Sequence, residues 1–192
     1  NLVTLGRNAF YSNPLNSVTV GYSLSSIGSL AFPATIEHVV IKQKQYSGLS
    51  GADPRDFKTV VVEEGVEKIG GLSNSQITEI VLPSTLVEIY SSAFTGSSLR
   101  KIDIPSSVTK IGNYAFENTN ITEVVIPTSI NDLADHAFRN TAMERVIIIE
   151  PADIYLNYNA FDATDPIEFI FCANNDSDLD EAVDSLAAFP II

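Results

Sequence analysis

Side chains that could support catalysis are few in this 192-residue chain, and they are widely separated. Cys172 is the only cysteine, which excludes an internal disulfide and every multi-cysteine metal site. A catalytic thiol needs a paired histidine, and the sequence contains only His38 and His136. Because Cys172 lies close to Phe169 and Phe171, we interpret it as a small buried apolar residue.

A cluster of carboxylates near the C-terminus is the best candidate for metal or acid–base chemistry; its members are Asp176, Asp178, Asp180 and Glu181. A calcium loop would need glycine in place of Glu181 and a bidentate glutamate in place of Ala187. Asp178 followed by Glu181 instead fits a capping box that begins a helix. We therefore predict no catalytic residue, no metal and no cofactor.

The overall charge and hydropathy restrict the class of partner. The net charge of −13 repels phosphate backbones, so we expect no nucleic-acid partner. The sequence has no apolar run of membrane-spanning length and opens with "NLVTLGRNAF" rather than a basic and then apolar leader. We therefore expect no direct membrane insertion by this segment. Because 45% of its residues are hydrophobic, we expect a folded acidic domain.

An internal repeat is the strongest signal in the sequence. An Ala-Phe pair recurs at intervals of 22 or 23 residues within each run of clear copies, and Gly71-Leu72 takes its place in a weaker copy. The phenylalanines of these pairs are Phe10, Phe32, Phe94, Phe116, Phe138 and Phe161. We expect them to stack in one interior as the structural core, because a single coil of this length cannot bury such groups alone.

Each repeat also contains a short β-branched run that reads as a strand, such as Lys101–Ile104. Its last inward residue recurs at Val20, Ile41, Val62, Leu82, Ile104, Ile126, Ile148 and Phe171. We therefore predict a solenoid of about eight coils over residues 1–171, with a parallel sheet on one face and turns and irregular coil on the other. Residues 42–57 form an irregular coil, interpreted as a degenerate repeat or a binding loop, and residues 172–192 form a helical cap.

A column of hydroxyl residues follows the Ala-Phe pair in register, at Ser75, Ser97, Thr119, Thr141 and Thr164. A catalytic serine or threonine would occur once, beside a base, whereas these recur in successive coils. We predict that they bond backbone groups in the return turn.

The outward face of the predicted sheet is the candidate binding surface. Alternation of side chains along each strand aligns Val40, Val61, Val81, Asp103, Val125 and Ile147. This largely apolar row either contacts a partner or reflects strand propensity alone. Beside it lies a second row whose charges alternate from Glu79 onward, at Glu79, Lys101, Glu123, Arg145 and Glu168, which predicts pairing between adjacent strands.

The segment "SVTKIGNYAFENTNITEVVIPTSI" resembles the BspA-like branch of leucine-rich repeats, in which a Val-x-x-Ile-Gly turn precedes Ala-Phe and an Ile-Pro strand. The chain departs from that family after Ala-Phe, where cysteine is common and this sequence has hydroxyls. The resemblance implies a secreted or cell-surface protein that is used for adhesion or for binding an extracellular protein or glycan. Leu2 and Leu5 occupy the Val and Ile positions of the repeat, so we expect the sequence to begin partway through a repeat. The alternative function is therefore a structural spacer in a larger surface protein.

Overall fold

The computed structural model describes residues 2–49, 54–149, 158–162 and 166–172. In this part of the chain there are two short 3₁₀ helices, Pro54–Asp56 and Tyr158–Phe161. The strands are β1 (Thr4–Leu5), β2 (Ser17–Val20), β3 (Ser26–Ile27), β4 (His38–Ile41), β5 (Gln45–Tyr46), β6 (Thr59–Val62), β7 (Lys68–Ile69), β8 (Glu88–Ile89), β9 (Lys110–Ile111), β10 (Glu123–Ile126), β11 (Asp132–Leu133), β12 (Arg145–Ile149) and β13 (Glu168–Cys172).

Every strand pairing between the described residues is parallel and joins one coil to the next. Ile41, for example, lies between Val20 of the preceding coil and Val62 of the following one. The predicted solenoid of parallel coils is confirmed, with about seven turns between the first and last strand positions. Each coil has three sides: a long-strand face (β2, β4, β6, β10, β12, β13), a short-strand face (β1, β3, β5, β7, β8, β9, β11) and a turn face that carries Ala-Phe.

The long-strand face is interrupted in the middle, contrary to the continuous sheet predicted from the sequence. It consists of two three-stranded sheets, β2-β4-β6 and β10-β12-β13. The coils that end in Leu82 and Ile104 lie between these sheets, and their predicted strands, including Lys101–Ile104, are extended without ladder pairing. The prediction of strands at these two positions is therefore wrong.

Three prolines, one in each of three successive coils, give a physical reason for this interruption. Elsewhere, the residue after the strand donates its N–H to the preceding coil, as Lys42 does to the carbonyl of Val20 at 2.8 Å and Glu63 to that of Ile41 at 3.0 Å. Pro83, Pro105 and Pro127 occupy the equivalent positions of the next three coils and have no N–H. The long-strand face therefore loses one link at each of three successive coil junctions.

The short-strand face spans the interruption. Its five-stranded sheet has the order β11-β9-β8-β7-β5, with paired residues such as Ile69 and Ile89 directed into the interior. Ile111 belongs to the Val-x-x-Ile-Gly turn of the repeat, and in the structure it lies in the short strand β9. The irregular coil predicted for residues 42–57 contains a strand, because β5 lies within this range, pairs with β7 and buries Tyr46 completely.

The turn face is held by a hydrogen bond that recurs from coil to coil. The N–H of Phe94 donates to the carbonyl of Ala115 at 2.7 Å, and that of Phe116 donates to Ala137 at the same distance. Three residues after Ala93, Ala115 and Ala137, the backbone turns left-handed, with φ of 68° at Gly96, 56° at Asn118 and 51° at Asn140. A Cβ on Gly96 would lie 2.5 Å from Oδ1 of Asn74, so a larger residue there would force the Asn74 side chain to move, whereas glycine adopts the left-handed φ without strain.

The phenylalanines stack along the axis of the solenoid. The ring centroids of Phe94 and Phe116 are 5.2 Å apart, those of Phe116 and Phe138 are 4.9 Å apart, and those of Phe138 and Phe161 are 5.3 Å apart. Phe32 and the three central rings are buried, and Phe161 is half-buried against the same core. Phe10 differs from the expected core position: it is 37% exposed, because it stacks on Phe32 but has no described coil on its other side.

The hydroxyl column is only partly as predicted. Thr119 and Thr141 donate to the carbonyls of Phe116 and Phe138, at 2.9 and 3.0 Å. Ser75 and Ser97 are buried, and among the described residues their Oγ atoms have no hydrogen-bond partner. Thr164, the carboxylates of residues 176–181 and the predicted cap beyond Cys172 lie outside the described residues. Cys172 itself is buried and carries a free thiol.

Candidate binding face

The long-strand face positions the row of outward side chains that the sequence predicted as a binding surface. Val40 is in register with Thr19 and Val61, and Val125 is in register with Ile147. Val81 lies in the interrupted part of the face, as does Asp103. The row is therefore built on paired strands at both ends and on unpaired extended backbone in the middle.

A groove lies at the start of the interruption, beside β6. Its volume is about 590 Å³, and its lining includes Val61, Val81, Asp103, Thr59, Glu79 and Lys101. Val81 is 85% exposed and Val61 is 52% exposed, so both valines present their side chains to solvent. Three of the six predicted binding residues thus line one concave surface, together with Thr59 and with Glu79 and Lys101 of the neighbouring charged row.

The remaining predicted binding residues are less accessible. Val40 and Val125 are half-buried. Ile147 is only 1% exposed, which corrects the expectation that it lies in an open row, since a covered side chain cannot contact a partner in this conformation. The large exposed apolar side chains of the long-strand face therefore lie in two places, Val61 and Val81 at the groove and Phe169 and Phe171 on β13.

The predicted charge pairing is present at one end of the face. Arg145 lies between two carboxylates, with its Nε 3.0 Å from Glu168 and its Nη1 3.3 Å from Glu123. The hydrogen bond with Glu168 raises the pKa of Arg145, which keeps the guanidinium charged. At the other end, Nδ1 of His38 is hydrogen-bonded to Oγ1 of Thr59 at 2.7 Å.

The expected pairing of Glu79 with Lys101 does not form. The Nζ of Lys101 lies 3.3 Å from Asp103, in its own coil, and Glu79 is exposed without an ion pair to any described residue. This difference follows from the interruption, because side chains of unpaired coils are not held in strand register. The groove therefore contains both lysine and carboxylate side chains, of which Glu79 forms no ion pair with a described residue.

Lys58 also lines the groove and was not identified from the sequence. Its Nζ donates to Oε1 of Glu37 at 2.7 Å, and this hydrogen bond lowers the pKa of Glu37. Lys58 immediately precedes β6 in the sequence. Its position next to Thr59, the first outward residue of that strand, could have predicted that it lies at the groove. Its charge is already paired, in contrast to that of Glu79.

The other described residues provide little evidence for a metal-binding or catalytic site. No group of three or more histidine, cysteine, aspartate or glutamate side chains that could hold a metal occurs in residues 2–49, 54–149, 158–162 and 166–172. His136 stacks on Tyr114, with 5.2 Å between the ring centroids, and its Nδ1 lies 4.0 Å from Asp162. Over the same ranges, no helix is long and apolar enough to cross a bilayer.

The short parallel coils, the axial phenylalanine stack and the concave surface on the strand side together define a leucine-rich-repeat solenoid. The sequence model for the BspA type leucine rich repeat region matches residues 1–51 and 53–183 in six copies, and the chain belongs to this family. Leucine-rich repeats of this kind are generally non-enzymatic. No curated protein matches the chain.

Solved structures that are similar to the chain include two leucine-rich-repeat proteins. A leucine-rich repeat protein from Bacteroides ovatus is 18% identical, with a TM-score of 0.54, over 88% of this chain and 48% of its own. A leucine rich cell surface protein from Faecalibacterium prausnitzii is 15% identical, with a TM-score of 0.38, over 93% of this chain and 85% of its own. The first similarity supports the fold, and this chain spans about half the length of that protein.

Proposed function

We propose that the protein is a non-catalytic binding module of the cell surface or extracellular space, which recognises a protein or glycan through its long-strand face. The observation that carries this proposal is the groove beside β6, where Val61 and Val81 are exposed next to polar side chains. A soluble protein rarely leaves clustered apolar side chains open to water without a contact to make. Covering one valine contributes about 1.5–3 kcal/mol.

The shape of the surface favours a macromolecular ligand over a small molecule. Residues of three successive coils line the groove, and the coils that precede it repeat the same outward positions. Such extended concave surfaces suit ligands that contact several coils at once. Glu79, Lys101 and Thr59 form a polar margin around the valines, which is the usual arrangement of a binding interface.

Binding would be tested with the purified chain on a panel of extracellular-matrix proteins and on glycan arrays. We expect a specific ligand whose binding is lost in Val81→Asp, because a carboxylate in the groove prevents apolar contact. Val87→Asp is the matched control, since Val87 is also exposed but does not line the groove. Silence across both panels, or equal losses in the two variants, would count against the proposal.

The proposed location rests on membership of the BspA-type family. Intact cells that express the natural gene would be treated with protease, and the chain would be followed with an antibody. Degradation without lysis is expected for a surface protein. Protection until the cells are lysed would contradict the proposed location.

The structural spacer remains the second candidate. It is supported by the similarity to the Bacteroides ovatus protein, of whose length this chain covers 48%. It is also supported by ion pairs between adjacent coils, which stiffen the solenoid, such as that of Lys68 with Glu88 at 2.7 Å. A spacer requires the length and rigidity of the array but not its groove. Cell adhesion that is unchanged by Val81→Asp, together with silent ligand panels, would favour this alternative.

A further inference from the structure

The groove beside β6 is closed at its floor, because the β6 coil and the coil that follows it are linked to each other. Before the strand, the N–H of Gln76 donates to the carbonyl of Phe57 at 3.0 Å. After the strand, the N–H of Gly65 donates to Oγ1 of Thr85 at 2.8 Å. Between these links, Ile80 is buried in the common core. A ligand therefore cannot enter between the coils, and it contacts the side chains that point outward.

Two aliphatic side chains form the accessible apolar part of the groove. Val61 and Val81 are exposed, whereas the other apolar residues of the lining, Val60, Val62 and Ile80, are buried or half-buried. None of the lining residues, all of which lie in the described ranges, is aromatic, so a sugar ring finds no ring on which to stack. The exposed valines offer van der Waals contact and apolar burial, which suit another apolar side chain.

Most polar side chains at the margin of the groove already have a partner within the protein. The pairs are Thr59 with His38 at 2.7 Å, Lys58 with Glu37 at 2.7 Å and Lys101 with Asp103 at 3.3 Å. The lining charges also balance, since the two lysines stand beside two carboxylates, those of Glu79 and Asp103. A ligand hydroxyl placed over the valines would lose its water and find few free partners, which is costly. An apolar side chain needs no such partner.

We propose that the groove receives one large apolar side chain of a partner protein, which packs on Val61 and Val81 while the polar margin stays paired within this protein. This inference rests on the proposed binding function and selects a protein over a glycan as its ligand. An apolar centre inside a polar margin is the usual anatomy of a protein interface, in which a few buried side chains supply most of the binding free energy.

The apolar contact is tested with Val81→Thr, which keeps the branched shape of the side chain and replaces a methyl group with a hydroxyl. The probes are the matrix proteins of the panel, with dissociation constants measured by surface plasmon resonance. We expect the matrix protein that binds best to bind Val81→Thr about five- to tenfold more weakly, because the new hydroxyl is desolvated under an apolar side chain. The matched control, Val87→Thr, should leave binding unchanged. Equal or tighter binding to Val81→Thr would overturn the proposal.

The class of ligand is tested on the same matrix proteins after enzymatic removal of their glycans. We expect the dissociation constant to change by less than about twofold, since the groove contacts protein side chains. Binding that disappears on deglycosylation would overturn the inference. Glycan-array binding that is lost in Val81→Asp would also overturn it, because the groove would then accept a glycan.

The side chain that enters the groove is identified with a phage-displayed library of disulfide-closed peptides, selected on the whole chain and counter-selected on Val81→Asp. We expect the selected peptides to share one large apolar residue, whose replacement by alanine weakens binding of the synthetic peptide by about tenfold or more. Selected peptides that share a charged residue and no apolar one would contradict the proposal. A library that yields no peptide dependent on Val81 would also count against it.

The outcome for this inference can be separated from that for the general function. If Val81→Asp abolishes binding of a glycan but no matrix protein binds through its polypeptide, the apolar anchor is wrong and the binding module stands. If neither the matrix proteins nor the glycans bind, both proposals fail. Binding of a matrix protein that survives deglycosylation and weakens in Val81→Thr, but not in Val87→Thr, supports both.

Discussion

Hydroxyl side chains at the same position of successive coils have different environments. Thr119 donates to the carbonyl of Phe116, whereas the Oγ of buried Ser97 has no partner among the described residues. We predict that Thr119→Ala lowers the free energy of unfolding by about 1–3 kcal/mol, because it leaves a buried carbonyl without its donor. Ser97→Ala should change it by less than about 0.5 kcal/mol. Urea denaturation measures both, and equal losses would contradict the assigned roles.

Tyr46 places a phenol in an interior position where neighbouring coils have isoleucine. Its ring is fully buried, burial raises its pKa, and no described residue bonds its hydroxyl. We predict that Tyr46→Phe stabilises the protein by about 1 kcal/mol, since the desolvated hydroxyl is removed and the ring is retained. Tyr46→Ala should cost about 3–5 kcal/mol. A loss of stability in Tyr46→Phe, seen by thermal melting, would reveal a hydrogen bond to the hydroxyl.

At the scale of elements, the three prolines divide one face of the solenoid into two sheets. We predict that the amides of Ile102 and Ile104 exchange with deuterium faster than those of Val146 and Ile148, because only the latter pair lies in a strand ladder. Hydrogen exchange followed by mass spectrometry would measure this difference. Equal protection would mean that the interrupted coils are hydrogen-bonded to their neighbours in solution.

Side chains replace the lost backbone link next to Pro83. Glu64 accepts hydrogen bonds from the N–H and Oγ of Ser84, at 3.0 and 3.1 Å, and the backbone bond is the larger cause of its lowered pKa. A lowered pKa in the folded state means that the carboxylate stabilises the fold above the ordinary glutamate value of 4.5 and that this contribution is lost as the pH falls through the folded pKa. The link therefore depends on pH.

We predict that Glu64→Gln is less stable than the unmodified protein at pH 7 and that the difference shrinks below about pH 4, where the native carboxylate also becomes protonated. Urea midpoints between pH 3 and pH 7 would measure it. Glu79→Gln serves as the control, because Glu79 is exposed without an ion pair, and its stability should not follow this trend. A pH-independent difference for Glu64→Gln would contradict the proposed link.

The sequence predicted the repeat, the strand positions at both ends and the phenylalanine column, because a fixed period places equivalent residues in one interior. It did not predict the short-strand face, since two-residue strands such as Glu88–Ile89 carry too little alternation to be distinguished from turns. The groove was missed for a related reason. Pro105 directly follows the predicted strand Lys101–Ile104, but its effect arises only when Pro83 and Pro127 align with it across neighbouring coils.

At the scale of the whole molecule, stability depends on contacts between neighbouring coils. One continuous core extends from Leu5 to Ala160, and no described coil has an interior of its own. In such an array the free energy of folding is approximately a sum of coil and nearest-neighbour contributions. A change in one coil is therefore expected to weaken the coils on either side of it more than distant ones.

Phe116 and Phe10 allow this additivity to be tested with one substitution at two places. Phe116 is fully buried between Phe94 and Phe138, so Phe116→Ala should lower the free energy of unfolding by about 3–5 kcal/mol. Phe10 stacks on one ring only and is 37% exposed, so Phe10→Ala should cost less than half as much. Hydrogen exchange should show lost protection around Phe94 and Phe138 in Phe116→Ala but not around Val20. Similar costs at the two sites, or loss of protection throughout the molecule, would mean that the solenoid unfolds as one cooperative unit instead of coil by coil.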